Sequence, residues 1–361
     1  MDFSYVSIHE LFLILLAVLL MVILMIFSVL LYGFYQYKSL SMEEIWSEVI
    51  DEKISETIVN GRNNKITNPN FKKWLKNSNF RNLFLEKLVS TENKFSGGAH
   101  QEIKQLFADY NLKQDALKKL KKKKSHLIAG GIQELTSMDY SAALAQISKF
   151  LHHPSPQVYH EAQYAMVVFN GFEGLNFLND FPYIISDWQK LRLLRSINQM
   201  PEDCTEIVNN WLHSSNSSVI IFTLKLVRKF QMLSSYQEVK KLLLHNSTEI
   251  RIQTVRSMQA LENASTIADL TENYEEQLPE VQLEILKVMK FSNDLHCLDF
   301  FKEQLLHHTS SAIRITAAKA LINLGFQEYL LEIIEDESSP EQLKKIIKHA
   351  IQEIRWQNSL F

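Results

Sequence analysis

The chain has 361 residues, 46% of them hydrophobic and 22% charged, with 38 Lys+Arg against 41 Asp+Glu and a formal net charge of −3. A nearly neutral chain excludes a general nucleic-acid binder, which needs an overall basic face, and 9 Gly with 7 Pro leave little room for long irregular loops. The only two cysteines, Cys204 and Cys297, stand 93 positions apart, which excludes a CxxC motif and a disulfide framework and reads as two buried, reduced thiols.

In chain order, a tail over 1–10 carries Asp2 and Glu10 and no Lys or Arg. The anchor follows over 11–34. No residue from Leu11 to Tyr37 is charged, and the stretch to Leu31 is almost wholly aliphatic, Met or Phe. At about 1.5 Å of rise per residue it reaches the roughly 30 Å of a bilayer core. A cleaved signal peptide is the competing reading, but it would have a basic start, a shorter apolar stretch and a small-residue cleavage site. The exit through Tyr32, Phe34, Tyr35 and Tyr37 to Lys38 has the aromatic-then-basic order of a membrane interface. Lys38 and Lys53 lie just after the span and no Lys or Arg lies before it. The positive-inside tendency therefore places the N-terminus outside and the body in the cytoplasm, in a single-pass inner (plasma) membrane protein.

A helical region is expected over 35–130. Ser41-Met42-Glu43-Glu44 has the form of a capping box and predicts a new helix start. Ile45, Trp46, Val49, Ile50, Ile54 and Ile58 then recur at helical spacing opposite Glu43, Glu44, Glu48, Asp51, Glu52 and Glu56. An acidic face is repelled by anionic lipid, so this helix is expected to pack on the body or on a second copy, as a homodimer contact. Asn60-Gly61-Arg62-Asn63-Asn64 reads as a hinge, and Phe71, Trp74, Leu75, Phe80, Leu83, Phe84 and Leu88 supply an apolar face to two or three further helices broken at Ser96-Gly97-Gly98. Lys118, Lys119, Lys121, Lys122, Lys123 and Lys124 form the strongest charge run, a candidate contact for an anionic surface or otherwise a solvated helix end.

A repeat occupies 131–335. Val158, Trp188, Val219, Ile250, Val281 and Ile313 follow one another at spacings of 30, 31, 31, 31 and 32, each preceded two positions earlier by Pro, Ser or Thr. Each is therefore expected to open a helix. Five and eight positions on, mostly apolar residues complete a stripe, and a preceding helix is available in units such as Tyr236–Leu244 before Thr248 and Leu298–Leu306 before Ser311. Two helices per unit, burying their faces by stacking on the next unit, describe an all-α solenoid. Proline at Leu286 should disrupt it more than proline at Gln282 in the first turn. Over 336–361 a final helix carries Leu343, Ile346, Ile347, Ala350, Ile351 and Ile354 on one stripe as a cap, with Trp356 and Phe361 to close the end.

The segments Leu243-Leu244-His245-Asn246-Ser247-Thr248-Glu249-Ile250-Arg251 and Leu305-Leu306-His307-His308-Thr309-Ser310-Ser311-Ala312-Ile313-Arg314, with Ala317, Ala318, Ala320 and Leu321 after them, resemble the HEAT-repeat family, particularly its short bacterial form. The resemblance weakens around Trp188, where Arg192 and Arg195 occupy usually small or apolar places. It implies a right-handed stack used as a protein-binding scaffold, whose second helices line the concave face. On that face one cation per unit is expected from Lys225, Arg256, Lys287 and Lys319, six positions after the repeat's first apolar residue. They are candidate contacts for an acidic partner, or else a solvated face on which Glu284 neutralises Lys287.

His153, His213, His245 and His308 sit near the turn between paired helices, and at about 10 Å between units they are too far apart to share a metal. No phosphate loop, GxSxG or HExxH occurs. The reading is a non-enzymatic membrane-tethered scaffold or adaptor for a cytoplasmic protein, with no catalytic residue, metal or cofactor and no specific nucleic acid. Two alternatives stand beside it: an accessory or lyase-like factor of a membrane enzyme complex, for example in polysaccharide synthesis, since some HEAT-like proteins are lyases, and a dimerising membrane sensor.

Overall fold

A computed structural model describes residues 8–60, 68–92, 94–95, 97–292 and 295–358, and among these every regular element is a helix. The chain divides into two compact units, 1–165 and 166–361, so the division falls inside the span expected for the array rather than at its start.

Unit 1 begins with α1 (Ile8–Asn60), a single uninterrupted helix of 53 residues. Its N-terminal part is long and apolar enough to cross a membrane. The new start expected at Ser41 is therefore corrected. A capping box serves only the first N–H groups of a helix, which lack partners, and at Ser41 the preceding turn already supplies carbonyls to every one of them. The expected amphipathic side is present in graded form: Ile50 and Ile54 are buried, Trp46, Val49 and Ile58 half-buried, and Ile45 exposed. The hinge expected at Asn60–Asn64 lies, beyond Asn60, outside the described residues.

The buried side of α1 packs on α3 (Ser78–Glu92) and α4 (Gly98–Asp109), which follow a single turn, α2 (Phe71–Trp74). Phe71, Phe80 and Phe84 are fully buried, Phe80 and Phe84 meeting Phe71 edge-on with ring centroids 5.4 and 5.8 Å away, and Trp46 of α1 approaches Phe80 at 5.6 Å and 88°. Next come α5 (Lys113–Leu120), α6 (Ser125–Ser137), the single turn α7 (Leu144–Ile147) and α8 (Pro156–Asn170), whose last residues belong to unit 2. Helices α5 and α6 touch so closely that a Cβ at Gly131 would stand 2.8 Å from Lys119 Cβ and 2.9 Å from the Ala116 carbonyl. Gly131 thus serves helix packing, whereas a Cβ at Gly130 would meet nothing within 4 Å.

Unit 2 continues with α9 (Asp187–Ser196), α10 (Thr205–Leu212), α11 (Ser217–Phe230), α12 (Tyr236–Lys241), α13 (Thr248–Ala260), α14 (Thr266–Thr271), α15 (Pro279–Ser292), α16 (Leu298–His307), α17 (Ser311–Asn323), α18 (Gln327–Glu335) and α19 (Glu341–Asn358). All six residues of the repeat column lie in the first turn of a helix, as their spacing predicts. Five are fully buried, and Trp188 is the exception. Gln163, Leu193, Leu224, Val255, Leu286 and Ala318, five positions on, are all fully buried. Helix α11 packs on α13, α13 on α15, α15 on α17 and α17 on α19.

Polar contacts repeat with the helices. Arg251 and Arg314, each directly after its column residue, donate from Nε to the carbonyls of His245 (2.5 Å) and Leu305 (2.8 Å), satisfying groups at the end of the preceding helix that have no partner within it. Gln282 is not the tolerant first-turn position expected from its place: its N–H donates to the Leu278 carbonyl at 3.0 Å, and its buried side chain bonds the Tyr274 carbonyl and His308. In α19 the stripe is buried at Leu343, Ile346, Ile347 and Ala350, but Trp356 is exposed and does not close the end, while Phe361 lies outside the described residues.

Candidate functional site

The four cations placed in one row stand on consecutive packed helices, Lys225 on α11, Arg256 on α13, Lys287 on α15 and Lys319 on α17. They are not a row of free charges. Arg256 Nε donates to Glu284 at 2.5 Å, Lys287 reaches the same carboxylate at 3.2 Å, Lys319 pairs with Glu353 of α19 at 2.5 Å, and Lys225 lies 3.6 Å from Asp187 of α9. The expectation of four exposed side chains holds for Lys287 only; Lys225, Arg256 and Lys319 are half-buried. Burial alone would raise the Glu284 carboxyl, yet Arg256 and Lys287 together hold it below its ordinary value. Lys319 holds down Glu353, and Lys190 with Lys225 hold down Asp187. These pairs mostly join neighbouring helices, so part of the row tethers one unit to the next.

Two further cations stand on the same face. Arg228, three residues after Lys225, and Lys290, three after Lys287, are half-buried and have no ion pair among the described residues. Burial and the neighbouring Arg256 push the Arg228 guanidinium down, and burial and Lys319 push the Lys290 ammonium down against the attraction of Glu353. Sequence reading missed both because it followed one position per unit. The helical rule that residues three apart share a face would have extended the row to them.

The lysine run divides in the same way. Lys119 is ion-paired with buried Glu134, Lys118 lies 3.6 Å from Asp115, and Lys121, Lys122, Lys123 and Lys124 are exposed in the turn between α5 and α6. Desolvation outweighs the Lys119 attraction and pushes the Glu134 carboxyl up to about 7, and its Oε2 has no hydrogen-bond partner.

The histidines have a turn role with a defined geometry. Nδ1 of His153, His245 and His308 accepts the backbone N–H two residues on, from Ser155 at 3.1 Å, Ser247 at 3.0 Å and Ser310 at 2.8 Å, just before α8, α13 and α17 begin. His213 differs from its expected place by one residue. Ser214 Oγ accepts the Asn216 N–H at 3.1 Å in that unit, and His213 Nε2 meets Glu238 at 2.8 Å instead. Among the described residues no group of three or more His, Cys, Asp or Glu is arranged to hold a metal ion. A cleft of about 630 Å³ in unit 2 is lined by residues that include Val167, Asn170, Phe172, Glu173, Gln199 and Met200. Glu173 is the only ionisable side chain in its lining and has no acid–base partner there.

No protein-family model matches the sequence, and no curated protein is significantly similar to it. Among solved structures, an engineered protein known from its crystal structure aligns over 77% of this chain and 87% of its own at 16% identity and a TM-score of 0.35, a likeness too slight to bear on fold or activity.

Proposed function

We propose that the protein is a membrane-tethered, HEAT-like helical scaffold that holds an acidic segment of a cytoplasmic protein partner on the cation-bearing face of α11, α13, α15 and α17. The observation that carries the reading is the pair Arg228 and Lys290, half-buried beside Arg256 and Lys319 and lacking ion pairs of their own. Like charges held together at a partly desolvated surface are relieved by an incoming carboxylate, which gives such a face selectivity for acidic partners. The stacking of α11 through α19 supports the repeat reading, and the apolar length of α1 supports the tether. The basic residues that follow the span favour a cytoplasmic body.

The test is affinity capture of the full chain from detergent extract, quantified by mass spectrometry, beside an Arg228→Glu/Lys290→Glu variant. A stoichiometric partner that is lost from the variant at unchanged melting temperature supports the proposal. Recovery that neither the variant nor added salt diminishes overturns it. For orientation, cysteine at Ser4 should react with a membrane-impermeant thiol reagent in intact cells and cysteine at exposed Ser90 should not; the reverse pattern would place the body outside.

A second reading, a membrane sensor, is favoured by the continuity of α1, which joins the apolar span to the core of unit 1 with no break in which rotation or translation would be lost. Ligand-dependent cross-linking between copies at exposed Leu40 would support it, and cross-linking that no condition alters would remove it.

A further inference from the structure

Helix α9 departs from the repeat in one direction. Where the other column residues are fully buried, Trp188 is 63% exposed; Leu191 is 57% exposed, and Ile184, just before the helix, is 78% exposed. Trp188, Leu191 and Arg195 follow at spacings of three and four, so they share one side of the helix, while Leu193 and Ile197 are fully buried in unit 2. The Arg192 guanidinium lies over the Trp188 ring at 5.2 Å, and Arg195 is exposed. Asp187, the acidic residue of this helix, is held by Lys190 at 3.1 Å and Lys225 at 3.6 Å, and exposed Arg195 borders the apolar wedge with positive charge. A helix facing only water would carry polar residues on this side.

The combination of an exposed indole, branched aliphatic side chains and an exposed arginine is that of a segment seated at a bilayer surface. There the indole lies at headgroup level, the aliphatic groups reach the acyl boundary and the guanidinium group meets anionic phosphates. The wedge is small, and alone it would bind a vesicle weakly. A tether raises the local concentration of the surface, and weak contacts then suffice. We propose that Ile184, Trp188 and Leu191, with Arg195, dock unit 2 on the anionic interface of the membrane that α1 crosses. This rests on reading α1 as a membrane span.

The test uses the full chain carrying Leu191→Cys, modified with a nitroxide whose apolar ring substitutes for the leucine, in nanodiscs of phosphatidylcholine alone and of phosphatidylcholine with phosphatidylglycerol. Buried Cys204 and Cys297 stay in place, and the unsubstituted chain is the labelling control. In anionic nanodiscs the label should become more accessible to oxygen and less accessible to a water-soluble nickel chelate, and high salt should reverse part of the change. Arg195→Gln should lower the ratio of docked to undocked protein about fivefold, the equivalent of about 1 kcal/mol for a basic residue near an anionic surface. A label as water-exposed in anionic as in neutral nanodiscs, on a chain that resists alkaline extraction, overturns the wedge alone. Alkaline release of the chain overturns the span and the wedge with it. Protection from both reagents that ignores lipid charge means that a protein covers this face, and it overturns the proposal as well.

Discussion

Residues 1–165 and 166–361 are built from the same element and are held together differently. Unit 1 relies on contacts that occur once: the Phe71, Phe80, Phe84 and Tyr110 ring cluster, the clamp of Arg81 on Asp115 (2.8 Å) and on the Tyr110 and Asn111 carbonyls, and the close approach at Gly131. Unit 2 repeats a small set: a first-turn apolar residue, a buried residue five positions on, an arginine on the preceding carbonyl and an imidazole on the next turn. A damaged contact in unit 1 has no duplicate, whereas in unit 2 the helices α11, α13, α15, α17 and α19 each pack on the next.

The largest expected effects test that contrast directly. Phe84→Ala removes a fully buried ring from the centre of the cluster and should destabilise unit 1 by about 3–5 kcal/mol. Hydrogen exchange should then rise throughout α3–α6 and stay unchanged in α15 and α17. Leu286→Pro removes a helix bond inside α15 and should cost about 3 kcal/mol or more. Its exchange should rise in α13, α15 and α17 before α11. If Leu286→Pro opened all of unit 2 evenly, the neighbour-by-neighbour picture would be wrong.

Second comes a pH effect confined to unit 1. The Glu134 carboxyl is pushed up to about 7 from an ordinary 4.5, by burial first and against the attraction of Lys119. The folded state thus holds this proton more tightly than the unfolded one. The group's contribution is complete below pH 4.5 and is lost as pH rises through 7, on the order of 2–3 kcal/mol. The denaturation midpoint of unit 1 should therefore fall between pH 5 and 8, and Glu134→Gln should flatten that fall. The slope is the decisive quantity, because Gln also leaves Lys119 without its partner and shifts the absolute stability at every pH. Equal slopes in the two proteins would remove Glu134 as the cause.

The repeat was legible because burial at a fixed register leaves a period in the residue types. The column from Val158 to Ile313, the paired helices before α13 and α17, and the apolar stripe of α19 were all readable from it. Two features were misread for physical reasons. Ser41–Glu44 carries a cap's chemistry inside a helix that offers it no unpaired donor, and Gln282 looks like a replaceable first-turn residue until its carboxamide is seen between Tyr274 and His308. At the candidate site the four row positions were readable, but the carboxylates of Glu353 and Asp187 that pair with two of them come from other helices, where sequence spacing carries no information. Gly131 belongs to no sequence motif, and only the α5–α6 approach gives it a role. Gly131→Ala should therefore cost about 1–3 kcal/mol through overpacking, and Gly130→Ala, where a Cβ meets nothing within 4 Å, should cost nothing measurable by thermal melting.

The smallest effect separates the histidines from one another. In His153, His245 and His308 the acceptor of the backbone N–H is Nδ1, and the imidazole caps the turn. Other turns make the same two-residue bond with different side chains: Ser214 to Asn216, Asn263 to Ser265 and Asp336 to Ser338. An asparagine should therefore replace the imidazole at little cost, because its Oδ1 accepts the same donor. Alanine leaves the Ser247 N–H without its partner, and the half-buried position of Ser247 limits rescue by water. We expect His245→Ala to lower stability by about 1 kcal/mol and His245→Asn to lower it by less than half of that. His213 is exposed and bonds only Glu238 by its side chain, while Ser214 keeps the turn, so His213→Ala should stay within about 0.5 kcal/mol. Chemical denaturation of the three variants is sufficient to decide. Were His213→Ala as damaging as His245→Ala, or His245→Asn as damaging as alanine, the histidines would owe their recurrence to something other than the turn bond.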